Sequence, residues 1–212
     1  MVQKTKYKLS FTAASALIAE TLVIAEEFEK YKDWKLVKDS LEKNNLMNKV
    51  KAGTFKREFS EIKKRLSLLT PDQMKLLING SLDDAKAMIL VSLIKLYEFL
   101  YDFIIEVLRY KYMLYDRNLT EIDYNKFFNS KSIEHVELEL ITEATAKKIK
   151  QVVFKLLEQV GLISTTKNGI ILKPILSSEV VNSIIIDEPS YLNAFLLSNE
   201  EIKSLLKNLK ND

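Results

Sequence analysis

The stretch Glu158–Pro174, EQVGLISTTKNGIILKP, decides the fold of the C-terminal half. It holds two of the four glycines in a chain of 212 residues, Gly161 and Gly169. A glycine at the end of an apolar helical run commonly ends the helix. Asn-Gly between two β-prone runs favours a tight hairpin turn, because both positions tolerate positive φ. The stretch therefore predicts a helix that ends at Gly161, followed by a hairpin whose two runs are 163–165 and 170–172, which is how a winged helix ends.

The helix before this hairpin carries its apolar side chains on one face. Their spacing of three and four residues predicts a helix that begins after an N-cap at Thr142 and ends at Gly161. Its buried stripe consists of Ala146, Ile149, Val153, Leu156 and Val160. Two shorter helices are expected before it, the first of them capped within Asn118–Thr120. With the hairpin, these helices have the order of a winged helix-turn-helix.

The N-terminal half also has a helical period. We expect a first helix capped by Thr12 and, from near Thr54, an amphipathic helix with one apolar stripe. That stripe consists of Phe55, Phe59, Ile62, Leu66 and Leu69. Thr70 and Gly80 predict the cap and the end of a short helix that follows. The segment Ser81–Leu114 is apolar over most of its circumference, which predicts a long central helix, broken once.

The fold class that follows is mainly α, a helical protein with helix-turn-helix elements and a C-terminal winged-helix-like hairpin. We expect four regions along the chain. They are an N-terminal helical, helix-turn-helix-like region (1–70), central helices (71–118), a winged helix-turn-helix-like region (119–178) and a C-terminal helical tail (179–212).

Composition excludes several kinds of catalytic and metal site. The chain has no cysteine, so disulfides, a thiol nucleophile and thiolate zinc sites are excluded, and a reducing cytoplasm fits it. His135 is the only histidine, which excludes a metal site with two histidines. The sequence has neither a glycine-rich phosphate loop nor a nucleophile elbow. We expect a protein that is not an enzyme, with no catalytic residue, no metal, no cofactor and no small-molecule substrate.

Charged residues interrupt the most apolar segment, 87–108. Lys95, Glu98, Asp102 and Glu106 fall within the roughly 20 residues that a membrane span needs. This predicts a buried helix of a soluble, cytoplasmic protein with no membrane partner. Asp102 and Glu106 also suggest a cation-dependent nuclease. The alternative is that these carboxylates pair with basic residues of the same segment, Lys95 or Arg109.

Basic and acidic residues are nearly balanced, with 32 Lys and Arg against 29 Asp and Glu, so their placement matters more than the net charge of +3. The helix that begins near Thr54 is expected to turn five basic residues outward: Lys56, Arg57, Lys63, Lys64 and Arg65. Residues seven apart lie on nearly the same side of a helix. Such a stripe can follow a phosphate backbone. An ordinary solvated, lysine-rich face explains the same charges, and both alternatives stay open here.

A second polar set lies on the helix after Thr142 and on the hairpin. Its members are Thr145, Lys147, Lys148, Lys150, Gln151, Lys155 and, at the hairpin tip, Lys167. In a winged helix-turn-helix the long helix enters the major groove and the wing touches the DNA backbone. A winged helix used for protein contacts is the alternative, because four acidic residues surround the segment: Glu134, Glu137, Glu139 and Glu143.

Four segments together resemble the BrxA family of the BREX phage-defence systems. They are YKLSFTAASALIAET (7–21), KREFSEIKKRLSLLTPDQMKLLINGS (56–81), YEFLYDFIIEVLRYK (97–111) and ITEATAKKIKQVVFKLLEQVGLI (141–163). The resemblance covers nearly the whole chain, and its blocks are helical patterns with a few distinctive polar positions. None of them is a catalytic signature.

The resemblance implies a small, largely helical, non-enzymatic BREX component with helix-turn-helix elements, a NusB-like fold and DNA-binding activity. Its implied partners are double-stranded DNA, held mainly through phosphates, and other BREX proteins. The implied contact residues are the five basic residues of the first set and Lys147, Lys148, Gln151 and Lys155 of the second. A protein adaptor that scaffolds other defence subunits is the alternative function.

Overall fold

Twelve α-helices make up most of the computed structural model, which describes residues 6–13, 15–47 and 51–208. The prediction of a mainly α fold is therefore confirmed. The helices are α1 (Ile18–Tyr31), α2 (Trp34–Asn44), α3 (Ala52–Leu66), α4 (Pro71–Asn79), α5 (Leu82–Leu96), α6 (Glu98–Phe103), α7 (Tyr110–Met113), α8 (Glu121–Glu134), α9 (Val136–Glu139), α10 (Glu143–Gln159), α11 (Ser178–Asp187) and α12 (Asn199–Asn208). Two 3-10 segments, Ser10–Ala13 and Pro189–Phe195, and a π-helical turn, Ile104–Arg109, complete the helical structure of these ranges.

Several helices begin where side-chain caps were predicted. Thr70 and Gln73 form a reciprocal capping box at α4, and Thr120 caps α8 in the same way. The Thr142 hydroxyl accepts a hydrogen bond from the backbone N–H of Thr145 at the start of α10. Each of these bonds satisfies a backbone donor that has no partner within its helix, which fixes the start of the helix.

The predicted start of the first helix is wrong. Thr12 lies in the 3-10 turn Ser10–Ala13, and its hydroxyl donates to the carbonyl oxygen of Leu9 at 3.0 Å. Helix α1 begins only at Ile18, after Leu17 in the left-handed region with φ of 49°. The residues before α1 therefore form a separate segment that lies across other helices.

The long central segment is broken, as predicted. Helix α5 ends before Tyr97, whose φ of −122° and ψ of 89° are not helical, and α6 starts directly after it. The side chains of Tyr97, Phe99 and Phe103 are fully buried. The segment thus contributes to one hydrophobic cluster that contains buried residues from Tyr7 to Leu197. The division into four regions stays a prediction.

The hairpin after α10 is shorter than predicted. Ile163 and Ile171 form an isolated antiparallel bridge instead of two continuous strands. The N–H of Gly169 donates to the carbonyl oxygen of Thr165 at 2.9 Å, so the turn spans five residues and is not a two-residue turn. Among the described residues of this turn, Gly169 alone has positive φ, at 59°, and Asn168 does not. The two-residue turn inferred from Asn-Gly is therefore wrong.

A third extended segment pairs with this hairpin. Asn118 and Ile170 form a second antiparallel bridge, and the N–H of Leu119 donates to the carbonyl oxygen of Gly169 at 2.9 Å. This segment precedes α8, so the pairing connects the start of the α8–α10 unit to its end. Along the chain, this part of the fold therefore consists of a helical segment, a short extended segment, helices α8 to α10, and a hairpin.

Candidate nucleic-acid interface

Helix α10 and the following turn present most of the second predicted set to solvent. Thr145, Lys147, Lys148, Gln151 and Lys155 are exposed on α10, and Lys167 is exposed in the turn. Gln151 and Lys155 line a groove of about 330 Å³ together with Thr166, the neighbour of Lys167. The structure therefore places Lys150, Gln151 and Lys155 of α10 beside Thr166 of the turn in one groove, while the other members of the set lie outside its lining.

Ion pairs divide the lysines of α10 into two groups. Lys150 is half-buried, and its Nζ lies 2.5 Å from Glu121 Oε2 on α8. The Nζ of Lys155 lies 2.5 Å from Glu158 Oε2, one turn along α10. These hydrogen bonds lower the pKa of both carboxyls. Lys147 and Lys148 are exposed and make no ion pair with any residue in the described ranges, so they are the α10 cations most available to an anion.

Helix α3 presents a smaller basic surface than predicted. Lys56 and Arg57 are exposed near its start. Lys64 is exposed as well, with its Nζ 3.8 Å from Glu61 Oε2. Lys63 is only partly exposed, and its Nζ lies 5.6 Å from the centre of the Trp34 ring, a cation–π distance.

The prediction that Arg65 faces outward is wrong. Its side chain is 1% exposed, and Nη1 donates to the carbonyl oxygens of Ser15 at 3.2 Å and Ala16 at 3.4 Å. Burial lowers the pKa of Arg65 to about 10, against the opposing influence of Glu61. Arg65 follows Ile62 by three residues and precedes Leu66, so it lies at the margin of the apolar stripe and is drawn in with it. It cannot contact a phosphate on the surface in this arrangement.

Asp102 and Glu106 pair with a lysine from another helix. The Nζ of Lys131 on α8 lies 3.1 Å from Asp102 Oδ2 and 2.5 Å from Glu106 Oε1. The Tyr7 hydroxyl donates to Asp102 Oδ2 at 2.6 Å. Burial alone would lower the pKa of Lys131, but its hydrogen bonds to Glu106 and Asp102 outweigh burial and raise it.

The predicted partners of these carboxylates are engaged elsewhere. The Nζ of Lys95 lies 2.5 Å from Asp187 Oδ2, and Arg109 donates to the carbonyl oxygen of Leu197 and to Asn199 Oδ1. Asp102 and Glu106 do pair with a basic residue, but the prediction that this residue is Lys95 or Arg109 is wrong. Lys131 occupies the position between the two carboxylates that a cation would take. Within the described ranges, no group of three or more His, Asp or Glu side chains is placed to hold a metal ion.

His135 and part of the acidic shell are structural. The His135 ring is 5% exposed and stacks on the Tyr7 ring with 3.7 Å between centroids. Glu137 Oε1 accepts from the Tyr7 N–H at 2.7 Å and lies 3.1 Å from His135 Nδ1. Burial would raise the pKa of Glu137, but these hydrogen bonds outweigh it and lower the pKa. Glu137 thus acts within the protein, while Glu139 and Glu143 remain exposed.

The residues that join distant helices were not predicted from the sequence. Lys131 and Tyr7 reach Asp102 across 29 and 95 positions of sequence, a separation that no local pattern encodes. Gln159, at the end of α10, accepts from the N–H of Ala16 at 3.0 Å. For the burial of Arg65 a signal did exist, because Glu61 four residues earlier is a helical neighbour of opposite charge beside the same apolar stripe.

The fold and the candidate site define the class of protein: a mainly helical protein that exposes basic side chains on α3 and α10. No helix within the described ranges has the length and apolarity needed to cross a membrane. The sequence model of the BrxA family matches residues 5–187. The chain belongs to the BrxA family.

Relatives extend over most of the chain. A BREX protein BrxA of Bacillus cereus (strain H3081.97) is 26% identical over 187 residues, covering 87% of this chain and 92% of the relative. A BREX protein BrxA of Paramagnetospirillum magneticum (strain ATCC 700264 / AMB-1) is 23% identical over 180 residues, covering 84% and 89%. The crystal structure of an uncharacterized protein from Magnetospirillum magneticum matches with a TM-score of 0.77 at 20% identity, covering 91% of this chain and 98% of that one. This last likeness shows the fold alone.

Proposed function

We propose that this protein is a component of a BREX system and binds duplex DNA, mainly through phosphates, with α10 and the turn after it. The observation that carries the proposal is the set of exposed polar and basic side chains on one helix and the adjoining turn, two of which, Gln151 and Lys155, line a groove with Thr166. The proposal is supported by the order of α8, α9, α10 and a short bridged hairpin, which is the order expected of a winged helix-turn-helix. Membership in the BrxA family, whose relatives are called BREX proteins, supports the assignment to a BREX system.

Phosphate contacts fit the side chains better than base recognition does. The exposed members of the site are mostly lysines, which act as point charges, and Gln151 is the amide among the α10 members. Helix α3 offers Lys56, Arg57 and Lys64 as a second basic surface. Arg65 has no place among the contacts, because it is buried.

Binding of a fluorescent random-sequence duplex, measured by anisotropy over a range of salt, tests the proposal. Each phosphate contact contributes about 0.9 to the slope of log K against log salt concentration. The double substitution Lys147→Gln/Lys148→Gln should weaken binding and reduce the slope by about 1.8. A matched control is Lys203→Gln/Lys207→Gln on α12, which removes the same charge from exposed positions of another helix.

The outcomes separate the alternatives. A slope that does not change in the α10 variant, or that changes equally in the α12 control, contradicts binding through α10. Loss of binding in Lys56→Gln/Arg57→Gln but not in the α10 variant would assign the interface to α3 instead. No duplex binding at low salt would refute the DNA-binding function as a whole.

A protein-adaptor function is the second candidate, and one observation favours it. Ile133, Val136 and Leu140, around the junction of α8 and α9, are 82%, 62% and 80% exposed. Large apolar side chains exposed close together in sequence are more common at protein contacts than on free surfaces. Co-purification of this chain with other subunits from cells that express the whole system supports the adaptor, whereas a chain that always elutes alone contradicts it.

A further inference from the structure

One residue before α1 is hydrogen-bonded to both basic helices. The N–H of Ala16 donates to Gln159 Oε1 on α10 at 3.0 Å. The carbonyl oxygen of Ala16 accepts from Arg65 Nη1 on α3 at 3.4 Å and from the Thr21 hydroxyl at 3.3 Å. The 3-10 turn Ser10–Ala13 also packs against both α3 and α10. The chain before α1 is thus a physical link between the two helices.

The burial of Arg65 points to a positional role. A charged guanidinium loses its hydration when it is buried, and the fall of its pKa to about 10 reflects that cost. Its Nε and Nη2 atoms are buried without a hydrogen-bond partner among the described residues, so the bonds it does make are those to the carbonyl oxygens of Ser15 and Ala16. Leu17, directly after them, has positive φ, a conformation that the surrounding contacts must hold in place.

The other end of this chain segment is held as firmly. The Tyr7 N–H donates to Glu137 on α9, its hydroxyl donates to Asp102 on α6, and its ring stacks on His135. Near the middle, the Ser10 hydroxyl donates to Glu61 on α3 at 3.3 Å. Each end therefore touches the α8–α10 unit, while Ser10 and Ala16 are tied to α3.

We propose that residues 7–13 and 15–16, called here the N-terminal splint, fix the position of α10 relative to α3 through Gln159 and Arg65. Neither residue touches nucleic acid in this assignment, so both are positioning residues. The purpose of the splint is to present two basic surfaces together to one duplex, and this purpose rests on the proposed function. Two surfaces held in a fixed relation bind one ligand much more tightly than two that move independently.

The distance between the two helices tests the splint without DNA. Because the chain has no cysteine, Ser60→Cys on α3 and Ala144→Cys on α10 can be spin-labelled as a unique pair, and both positions are exposed. Double electron–electron resonance should give one narrow distance distribution. Gln159→Met, which keeps the length of the side chain but lacks its carbonyl acceptor, should broaden the distribution. Gln159→Glu, which keeps an acceptor oxygen, should give a distribution as narrow as that of the parent.

A label pair within the N-terminal helices is the matched control. Ser60→Cys with Asn79→Cys, on α3 and α4, should stay narrow in all Gln159 variants, so that broadening elsewhere is not a sign of general unfolding. If the α3–α10 distribution is as narrow in Gln159→Met as in the parent, the splint is refuted. The same holds if both label pairs broaden together.

Duplex binding then tests the purpose of the splint. With unlabelled protein, Gln159→Met should bind a 30-base-pair duplex about tenfold more weakly than the parent, because two linked sites bind one ligand less tightly when they lose part of their fixed relation. Unchanged affinity together with a broadened distance distribution would overturn the coupling to one duplex. A parent protein that binds no duplex refutes the proposed function, whereas the distance measurement alone decides whether the splint exists.

Discussion

Substitution of Lys131 by methionine should destabilise the protein by about 2 kcal/mol. Removal of one member of a fully buried ion pair costs roughly 3–5 kcal/mol, because the remaining charge has no partner. Here the Lys131 side chain is 10% exposed, while those of Asp102 and Glu106 are 25% and 49% exposed, so water compensates part of the loss. Methionine retains most of the apolar stem, which leaves the charge as the main change.

Urea denaturation and calorimetry measure this effect. For a chain of this length, about 2 kcal/mol corresponds to a fall in Tm of roughly 4–8 °C. Lys126→Met is the matched control, since Lys126 is an exposed lysine on the same helix, and a change within about 0.5 kcal/mol is expected there. In a double-mutant cycle, Asp102→Asn should cost less in the Lys131→Met background, by about 1 kcal/mol. Equal stability of the two methionine variants would show that the cluster contributes nothing, and the argument from burial would fail.

Two further predictions concern the glycines after α10 and the Glu137 carboxylate that binds Tyr7 of the splint. Gly169→Ala should cost about 2–3 kcal/mol in urea denaturation, because the residue has φ of 59° and an added Cβ would lie 2.2 Å from the Leu119 carbonyl oxygen. Gly161→Ala should cost only about 1 kcal/mol, because φ is 81° but no atom lies within 4 Å of an added Cβ. Equal losses of stability in the two variants would contradict the steric argument. Glu137 has a lowered folded-state pKa, so its stabilisation is present above its unfolded pKa of about 4.3 and is lost as pH falls through the lower folded value. Glu137→Gln should therefore lose less stability than the parent between about pH 5 and pH 3, and parallel pH profiles would refute this.

Local sequence patterns predicted the helices well because the signals are themselves local. A cap such as Thr142 acts on backbone groups within three residues, and an apolar stripe such as that of α10 needs only its own period. The same patterns failed where the outcome depends on another part of the chain. Thr12 resembles an N-cap in sequence, but the segment around it is bonded to α3, α6 and α9, so it does not enter α1.

The candidate site shows the same division. The exposure of Lys147 and Lys148 follows from the phase of the α10 stripe, which was identified from the sequence. The burial of Arg65 was not predicted, because charge alone assigned it to the surface although its position in the helix adjoins the stripe. The turn was misjudged for a related reason: Asn-Gly indicates where the chain reverses, but not that a third extended segment at Asn118 also pairs with the second run of the hairpin.

The positions of the cations set an expected range for the salt dependence of duplex binding. Lys150 is half-buried in its ion pair with Glu121, so it is a poor phosphate ligand. The exposed ion pair of Lys155 with Glu158 contributes only a few tenths of a kcal/mol, so Lys155 can exchange Glu158 for a phosphate. Four cations of α10 and the turn are then available: Lys147, Lys148, Lys155 and Lys167. Four contacts give a slope of about 3.6, and three more from α3 would raise it to roughly 6. A slope near the lower value means that α10 and the turn bind the duplex alone. Only a slope near the upper value requires α3 and α10 to contact one duplex, which is the geometry that the splint would maintain.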